Sequence, residues 1–227
     1  MRLIVSTAAQ TAENLAERTG EMISQKGICR VGIAPTPDIM DFMTLYASEL
    51  LKRNLHPKLI LMSDFDPPDN SFFSWERFIR KAFGDIISVS GLVCVNADNL
   101  TQYDDRDAQY CPDMIILGIG ENGHIGFNEP GCLYDSRAHR QKITDSTKRM
   151  YAGLFGDVYN VPAYGFTAGV RSFSGRGETY ALAFGKEKSA AVFKTLYGKS
   201  LPVFPATFLQ LPQNVVLYTD KDSSSML

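Results

Sequence analysis

Cysteine is scarce in this chain: of 227 residues only Cys29, Cys94, Cys111 and Cys132 carry thiols, and no two of them lie close together. That scatter offers no disulfide framework and no Cys/His cluster at metal-ligand spacing, so the thiols read as reduced and structural and no metal is expected. Charge of one sign is equally lacking, since 23 basic residues face 25 acidic ones for a formal net charge of -2. Without a broad positive field or a basic helix-turn-helix segment, neither nucleic acid nor an anionic membrane is an expected partner. Long apolar runs are missing as well. No stretch approaches the roughly 20 residues that cross a bilayer, and Met1 to Ser6 passes into a helix-like pattern without the apolar core of a signal peptide. The expectation is a cytoplasmic protein. Internal repeats and linker-like composition are absent too, so residues 1–227 read as one domain, with Lys221 to Leu227 as a mobile tail.

What the chain does have is a regular alternation of helical and apolar segments. Ser6 or Thr7 caps a helix through about Gln25, Arg30 to Ala34 reads as a strand, Pro37 opens a helix through about Arg53, and Leu59 to Met62 is the next strand. Ser71 to Phe83 reads as helical, Gly91 to Val95 as a short strand, and Met114 to Leu117 as a strand buried on both faces because it has no polar alternation. Thr144 to Phe155 is a capped helix, Thr179 to Phe184 a strand, Lys186 to Tyr197 a helix and Val215 to Thr219 a last strand. This βαβ order predicts an α/β fold: a doubly wound, mainly parallel sheet between helical layers, in a Rossmann-like three-layer arrangement.

The chemistry gathers behind the Met114 to Leu117 strand, in Gly118-Ile119-Gly120-Glu121-Asn122-Gly123-His124-Ile125-Gly126-Phe127-Asn128-Glu129-Pro130-Gly131. Ligands of open parallel sheets bind beyond the carboxyl ends of the strands, which puts His124 and Glu129 on the functional edge. Gly120 and Gly123 let the backbone turn tightly and approach a ligand, and Asn122-Gly123 favours a turn that aims the imidazole. Taken alone, such a histidine is as easily an ordinary loop residue.

The pattern Gly-x-Gly-x-x-Gly-His-x-x-Phe-Asn-Glu-Pro resembles the signature of the glucosamine-6-phosphate deaminase and galactosamine-6-phosphate isomerase family, whose wider fold group includes 6-phosphogluconolactonase. Phe127-Asn128-Glu129-Pro130 is the half that distinguishes the amino-sugar branch. The resemblance implies an enzyme that opens a hexosamine 6-phosphate ring, isomerises aldose to ketose and releases ammonia. In the family the turn matching the exit of the Leu59 to Met62 strand carries the carboxylate that moves a proton between C2 and C1. Here the matching segment is Met62-Ser63-Asp64-Phe65-Asp66-Pro67-Pro68, read as an acidic turn, with Asp64 as the base and Asp66 as the other carboxylate within reach. Asp64 could equally serve only to cap its own turn.

By the same resemblance His124 moves the proton at the ring oxygen, with Glu129 orienting or charging the imidazole. Asn122 stands where the family usually has aspartate; an amide can hold an imidazole but supplies no full charge to an imidazolium. Asn122, Gly126 and Gly131 incline the substrate toward the galactosamine epimer. For the phosphate the resemblance implies the loop Ala34-Pro35-Thr36-Pro37-Asp38, where Ala34 and the Thr36 hydroxyl are carried over although two prolines remove amide donors and Asp38 would repel an anion. Lys188, in Gly185-Lys186-Glu187-Lys188-Ser189-Ala190, is the matching cation; its plain alternative is a solvated lysine. A family arginine aligns near Gly153 or Leu154 and is absent, leaving Arg171 as the available substitute. Two segments look abbreviated, one reaching Asn70-Ser71-Phe72-Phe73 after Asp64 and the other running from Asn99 to Pro112. No cofactor is expected, the partner is a small-molecule sugar phosphate, and a homo-oligomer is open. Two other readings remain: a non-catalytic sugar-phosphate binder, and a lactonase-type hydrolase in which His124 activates water.

Overall fold

The computed structural model describes residues 1–66, 73–104, 110–173 and 177–227. Along the chain run β1 (Arg2–Val5), α1 (Ala8–Lys26), β2 (Arg30–Ala34), α2 (Met40–Lys52), β3 (Lys58–Leu61), β4 (Ser63–Asp66), α3 (Trp75–Ala82), α4 (Gly84–Ser90) and β5 (Leu92–Cys94). The second half holds α5 (Leu100–Asp104), β6 (Met114–Gly118), β7 (His139–Lys142), α6 (Asp145–Phe155), β8 (Tyr164–Thr167), α7 (Val170–Phe173), β9 (Glu178–Ala183), α8 (Ser189–Tyr197) and β10 (Val215–Thr219).

Seven strands form one sheet in the order β1-β10-β9-β6-β2-β3-β5, and every neighbouring pair is parallel. The alternation of side chains across a strand explains why the central strands are apolar throughout. Met114 and Ile116 of β6 enter the core on one face of the sheet, with α1, α2 and α6, while Ile115 and Leu117 enter the core on the other, with α7 and α8. Each such side chain, fully withdrawn from water, contributes roughly 1.5–3 kcal/mol. From β2 the chain moves outward to β3 and β5, then returns to the other side of β2 as β6. The order therefore reverses between β2 and β6, which is where open α/β sheets bind ligands.

Helix ends follow local chemistry. Thr7 accepts a hydrogen bond from the Gln10 amide to start α1, and Gly27, at φ 76°, ends it in the left-handed conformation. Pro37 begins a single 3-10 turn over Pro37–Ile39 before α2, and Lys186–Lys188 forms another before α8, so two expected helices each open more tightly than an α-helix.

Several features depart from the sequence reading. Residues 63–66 are not a turn: Ser63–Asp66 pairs antiparallel with Tyr164–Thr167, and His139–Lys142 completes a second, three-stranded sheet in the order β4-β8-β7. Phe65 is the one apolar side chain in β4 and β7 has none, so the pairing rests on backbone groups that leave no apolar alternation to read. The half-exposed edge strand β1 is likewise unexpected from the sequence. Helix α3 starts at Trp75 rather than Ser71, because the Ser74 hydroxyl accepts from the Arg77 amide; Pro67, Pro68 and the stretch Asn70-Ser71-Phe72 lie outside the described residues, as do residues 105–109 of the expected short segment before β6. The expected tail is instead fastened: Ser223 is fully buried and its hydroxyl donates to the Ala183 carbonyl at 2.7 Å. All four cysteines are unpaired. No helix among the described residues is long and apolar enough to cross a membrane.

Candidate active site

At the carboxyl end of β6 the chain turns back on itself within a few residues. The Gly123 amide donates to the Gly120 carbonyl and the Gly120 amide to the His124 carbonyl, both at 2.9 Å, with Gly123 at φ 84°. Asn122 fixes the product of this turn. Its Oδ1 accepts from the His124 amide at 3.1 Å and lies 2.8 Å from the imidazole Nδ1. Because the other side of that amide faces acceptors, Oδ1 can only accept, so Nδ1 carries the proton and Nε2 keeps its lone pair. Nε2 is buried and has no hydrogen-bond partner among the described residues. Burial first, and the nearby Lys188 second, push the His124 pKa down to about 3 against an opposing pull from Asp38. At neutral pH the imidazole is an uncharged base with one open nitrogen.

The glycines before it make room for side chains rather than for a ligand's backbone contact. A Cβ on Gly120 would stand 2.2 Å from the His124 ring, and one on Gly118 would stand 1.7 Å from Thr36 Oγ1. The loop therefore seats His124 and Thr36 against its own main chain. Gly123 supports a different neighbour, the Phe204 ring, which a Cβ would approach to 2.5 Å.

Glu129 sits behind Asn122. The Asn122 Nδ2 donates to Glu129 Oε2 at 2.9 Å, the Thr144 amide donates to Oε1 at 3.1 Å, and the hydroxyls of Thr144 and Thr147 donate to Oε2 at 3.0 Å. Glu129 is thus buried but well satisfied at the start of α6, where a carboxylate also meets the positive end of the helix dipole. Its expected contact with His124 is indirect: the order is carboxylate, amide, imidazole, with the Thr147 hydroxyl 3.1 Å from Nδ1 as a side branch. Sequence reading identified Thr144 as a helix cap and missed its second job of holding Glu129. Thr147 carried no signal beyond its place in the first turn of that helix.

The rest of the signature is structural. Phe127 packs against Phe65 with ring centroids 4.9 Å apart, and its amide donates to Thr167 Oγ1. Asn128 donates through Nδ2 to the Ile125 and Ala168 carbonyls at 2.8 and 2.9 Å, tying the loop to the end of β8. Gly126, at φ 57°, lies where a Cβ would come within 2.7 Å of Thr167 Oγ1, and Gly131 has φ 106°. Both glycines answer a backbone demand.

Asp64 is placed on β4, 3% exposed. Its Oδ1 accepts from the amides of Phe65 and Trp75 at 2.8 and 2.9 Å, and Oδ2 accepts from the Glu76 amide at 2.9 Å. The carboxylate thus starts α3, which realises the capping alternative, though across a longer span than its own turn. Burial pushes its pKa up to about 6 despite those three donors, which pull the other way. A carboxylate so placed is ionised at neutral pH and still a usable base. Asp66 is turned instead toward Arg140 in an ion pair at 2.5 Å.

Around the β2 loop, Ala34 and Thr36 are fully buried, and Thr36 Oγ1 has no partner among the described residues. Lys188 is not the solvated lysine of its plain alternative: it is 1% exposed, with its ammonium donating to the Ile119 carbonyl at 2.7 Å and paired with Asp38 at 2.8 Å. Asp38, expected to suit the helix dipole and to repel an anion, is the partner that makes this burial tolerable. Arg171 is exposed on α7, and positions 153 and 154 bear no cation. Thr36, His124 and Lys188 therefore meet around Gly118 to Gly120, while Asp64 faces the start of α3 on β4, the strand whose Phe65 packs against Phe127 of the signature loop.

No family profile matches the chain. Glucosamine-6-phosphate deaminase of Streptococcus thermophilus is 33% identical over 180 residues, covering 79% of this chain and 77% of that protein. The enzyme of the same name from Halalkalibacterium halodurans is 41% identical over 111 residues, a match that spans 49% of this chain and 45% of its own length. Among solved structures, a monomeric glucosamine-6-phosphate deaminase superposes with a TM-score of 0.88 at 25% identity, each chain covered in full. The 6-phosphogluconolactonase of Thermotoga maritima superposes with a TM-score of 0.71 at 18% identity over 96% of this chain and 97% of its own, a likeness of fold alone.

Proposed function

The chain belongs to the glucosamine-6-phosphate deaminase family, and from that premise we propose that it opens the ring of a hexosamine 6-phosphate and converts it to the ketose 6-phosphate with release of ammonia. The observation that carries the reading is the open Nε2 of His124, a neutral base whose tautomer Asn122 fixes. Nε2 takes the proton of the C1 hydroxyl as the C1–O bond to the ring oxygen breaks, and returns a proton to that oxygen, leaving an open-chain 2-amino aldehyde. The transient imidazolium is stabilised by the Glu129 carboxylate acting through the Asn122 amide dipole, a weaker arrangement than a carboxylate in direct contact.

Asp64 then removes the proton from C2, which the neighbouring aldehyde acidifies, giving an enolamine as O1 takes up a proton; it delivers the C2 proton to C1 while the amino nitrogen gives up one, so that a 2-imine with a C1 hydroxyl results. Water adds to C2 of the imine and the carbinolamine expels ammonia, leaving the ketone. Ring opening, the proton transfers and the loss of ammonia all draw on acid-base groups, and the two proposed here differ in environment: a carboxylate pushed up to about 6 and an imidazole pushed down to about 3. Thr36 and Lys188 hold the phosphate end beside the Ala34 backbone, while Gly120 and Gly123 serve it indirectly by giving room to the His124 and Phe204 rings. A cytoplasmic location suits the four unpaired cysteines.

Two observations bear on the C4 epimer. The relatives named above act on the glucosamine form by name, whereas Asn122 favours the galactosamine form; Gly126 and Gly131 lend no support to either, since backbone geometry accounts for them. Incubating the purified protein separately with glucosamine 6-phosphate and galactosamine 6-phosphate and measuring free ammonia tests the reading. Release from at least one is expected. Binding without release leaves a sugar-phosphate binder, and hydrolysis of a phosphogluconolactone without ammonia release identifies a lactonase.

A further inference from the structure

Lys188 is the only buried cation among the described residues. Its ammonium donates to the Ile119 carbonyl at 2.7 Å and to Met150 Sδ at 3.8 Å, and forms an ion pair with Asp38 Oδ1 at 2.8 Å. Asp38 is itself anchored, because the Phe184 amide donates to Oδ2 at 3.4 Å, and the two paired side chains are 2% and 5% exposed. The pair leaves the subsite without net charge. Few other donors compensate. Pro35 and Pro37 have no amide hydrogen, the Thr36 hydroxyl is the one open donor among the side chains of the loop, and positions 153 and 154 of the nearby helix α6 bear no cation.

We propose that Asp38 is an internal competitor for the anion site, its carboxylate occupying the place on Lys188 that a sugar phosphate would take. It thereby sets how strongly the protein favours phosphorylated over unphosphorylated amino sugars. The inference rests on the hexosamine 6-phosphate reading. A phosphate that reached Lys188 with Asp38 still in place would meet a carboxylate in a poorly screened interior, where like charges repel far more than in water. It binds only by separating the pair, and the energy of separation is subtracted from its affinity. The neutral hydroxyl of an unphosphorylated sugar meets no such opposition, so the usual advantage of the phosphate is reduced.

Asp38→Asn is the informative variant, because the amide keeps the shape and one acceptor while removing the competing charge. Three quantities are compared with the wild-type protein: kcat/KM for a hexosamine 6-phosphate, kcat/KM for the same hexosamine without phosphate, and Kd for inorganic phosphate by calorimetry. The wild-type protein is expected to favour the phosphorylated sugar by less than about tenfold, while Asp38→Asn raises that preference and the phosphate affinity each by about tenfold or more, chiefly through KM. Asp38→Asn combined with Lys188→Gln is expected to lose the gain. A wild-type preference above about a thousandfold overturns the proposal, as does unchanged or weaker phosphate affinity in a folded Asp38→Asn protein. If no sugar releases ammonia the deaminase reading fails, and the phosphate Kd values alone then decide the role of Asp38.

Discussion

His124 is the residue in which structure and chemistry are most tightly joined, since a single amide from Asn122 both orients the ring and leaves one nitrogen for a substrate. Asp64 presents the harder case, because three backbone donors give it a structural task as well as the proposed one. The two tasks separate on substitution. Asp64→Asn keeps an oxygen acceptor at the start of α3 but has no useful basicity, so turnover is expected to fall by about a thousandfold or more while the melting temperature drops only a few degrees. Ammonia release measured beside a thermal melt checks both; turnover near the wild-type rate would remove Asp64 from the mechanism. At this scale the sequence was legible where a residue's partners are its own neighbours: Asn122, Gly123 and His124 form one turn, and their spacing predicts it. Lys188 was not legible, because its ion-pair partner is Asp38, separated from it by most of the chain and apparent only once β2 and β9 flank β6 in the sheet.

Among the elements, α6 joins scaffold to chemistry. Thr144 accepts from the Thr147 amide as the helix cap and donates to Glu129, whereas Thr7 caps α1 far from Glu129 in sequence and accepts only from Gln10 in that role. Replacing either by alanine is expected to remove about 1 kcal/mol of stability. Only Thr144→Ala should also reduce kcat, because it takes a donor from the carboxylate that supports Asn122. Chemical denaturation and initial rates on the two variants check the contrast, and equal loss of rate in both would separate α6 from the site. The central strands were readable as apolar runs because both faces of β2, β3, β6 and β9 are covered. The small sheet was not: β4 contributes Ser63, Asp64 and Asp66, and β7 reads His139-Arg140-Gln141-Lys142, so neither carries the alternation that marks a strand, and only their pairing with β8 defines them.

For the whole molecule, the two buried titrating groups oppose each other. The His124 pKa is lowered from 6.5 to about 3, so its contribution is present above pH 6.5 and lost as the pH falls toward 3. The Asp64 pKa is raised from 3.8 to about 6, so its contribution is present below pH 3.8 and lost as the pH rises through 6. Between pH 7 and 5 the wild-type protein should therefore change little from these groups. Asp64→Asn should lose about 2 kcal/mol over that interval, and His124→Asn should gain about 1 kcal/mol. Urea denaturation at the two pH values measures the difference, and slopes of the same sign in both variants would contradict the opposition. The fold as a whole was legible from its alternation of helices and strands, because a parallel sheet forces that order on the chain. The fastening of residues 221–227 was not, since one serine hydroxyl reaching the end of β9 leaves no pattern in composition. The signature loop has a further consequence for inheritance. Phe127 fills the aromatic core and Asn128 anchors the loop, so a descendant that had given up the reaction would still lose its packing by changing them. Phe-Asn in a distant relative thus testifies to common descent, whereas a histidine seated over a glycine with an amide or carboxylate behind it testifies to work still being done.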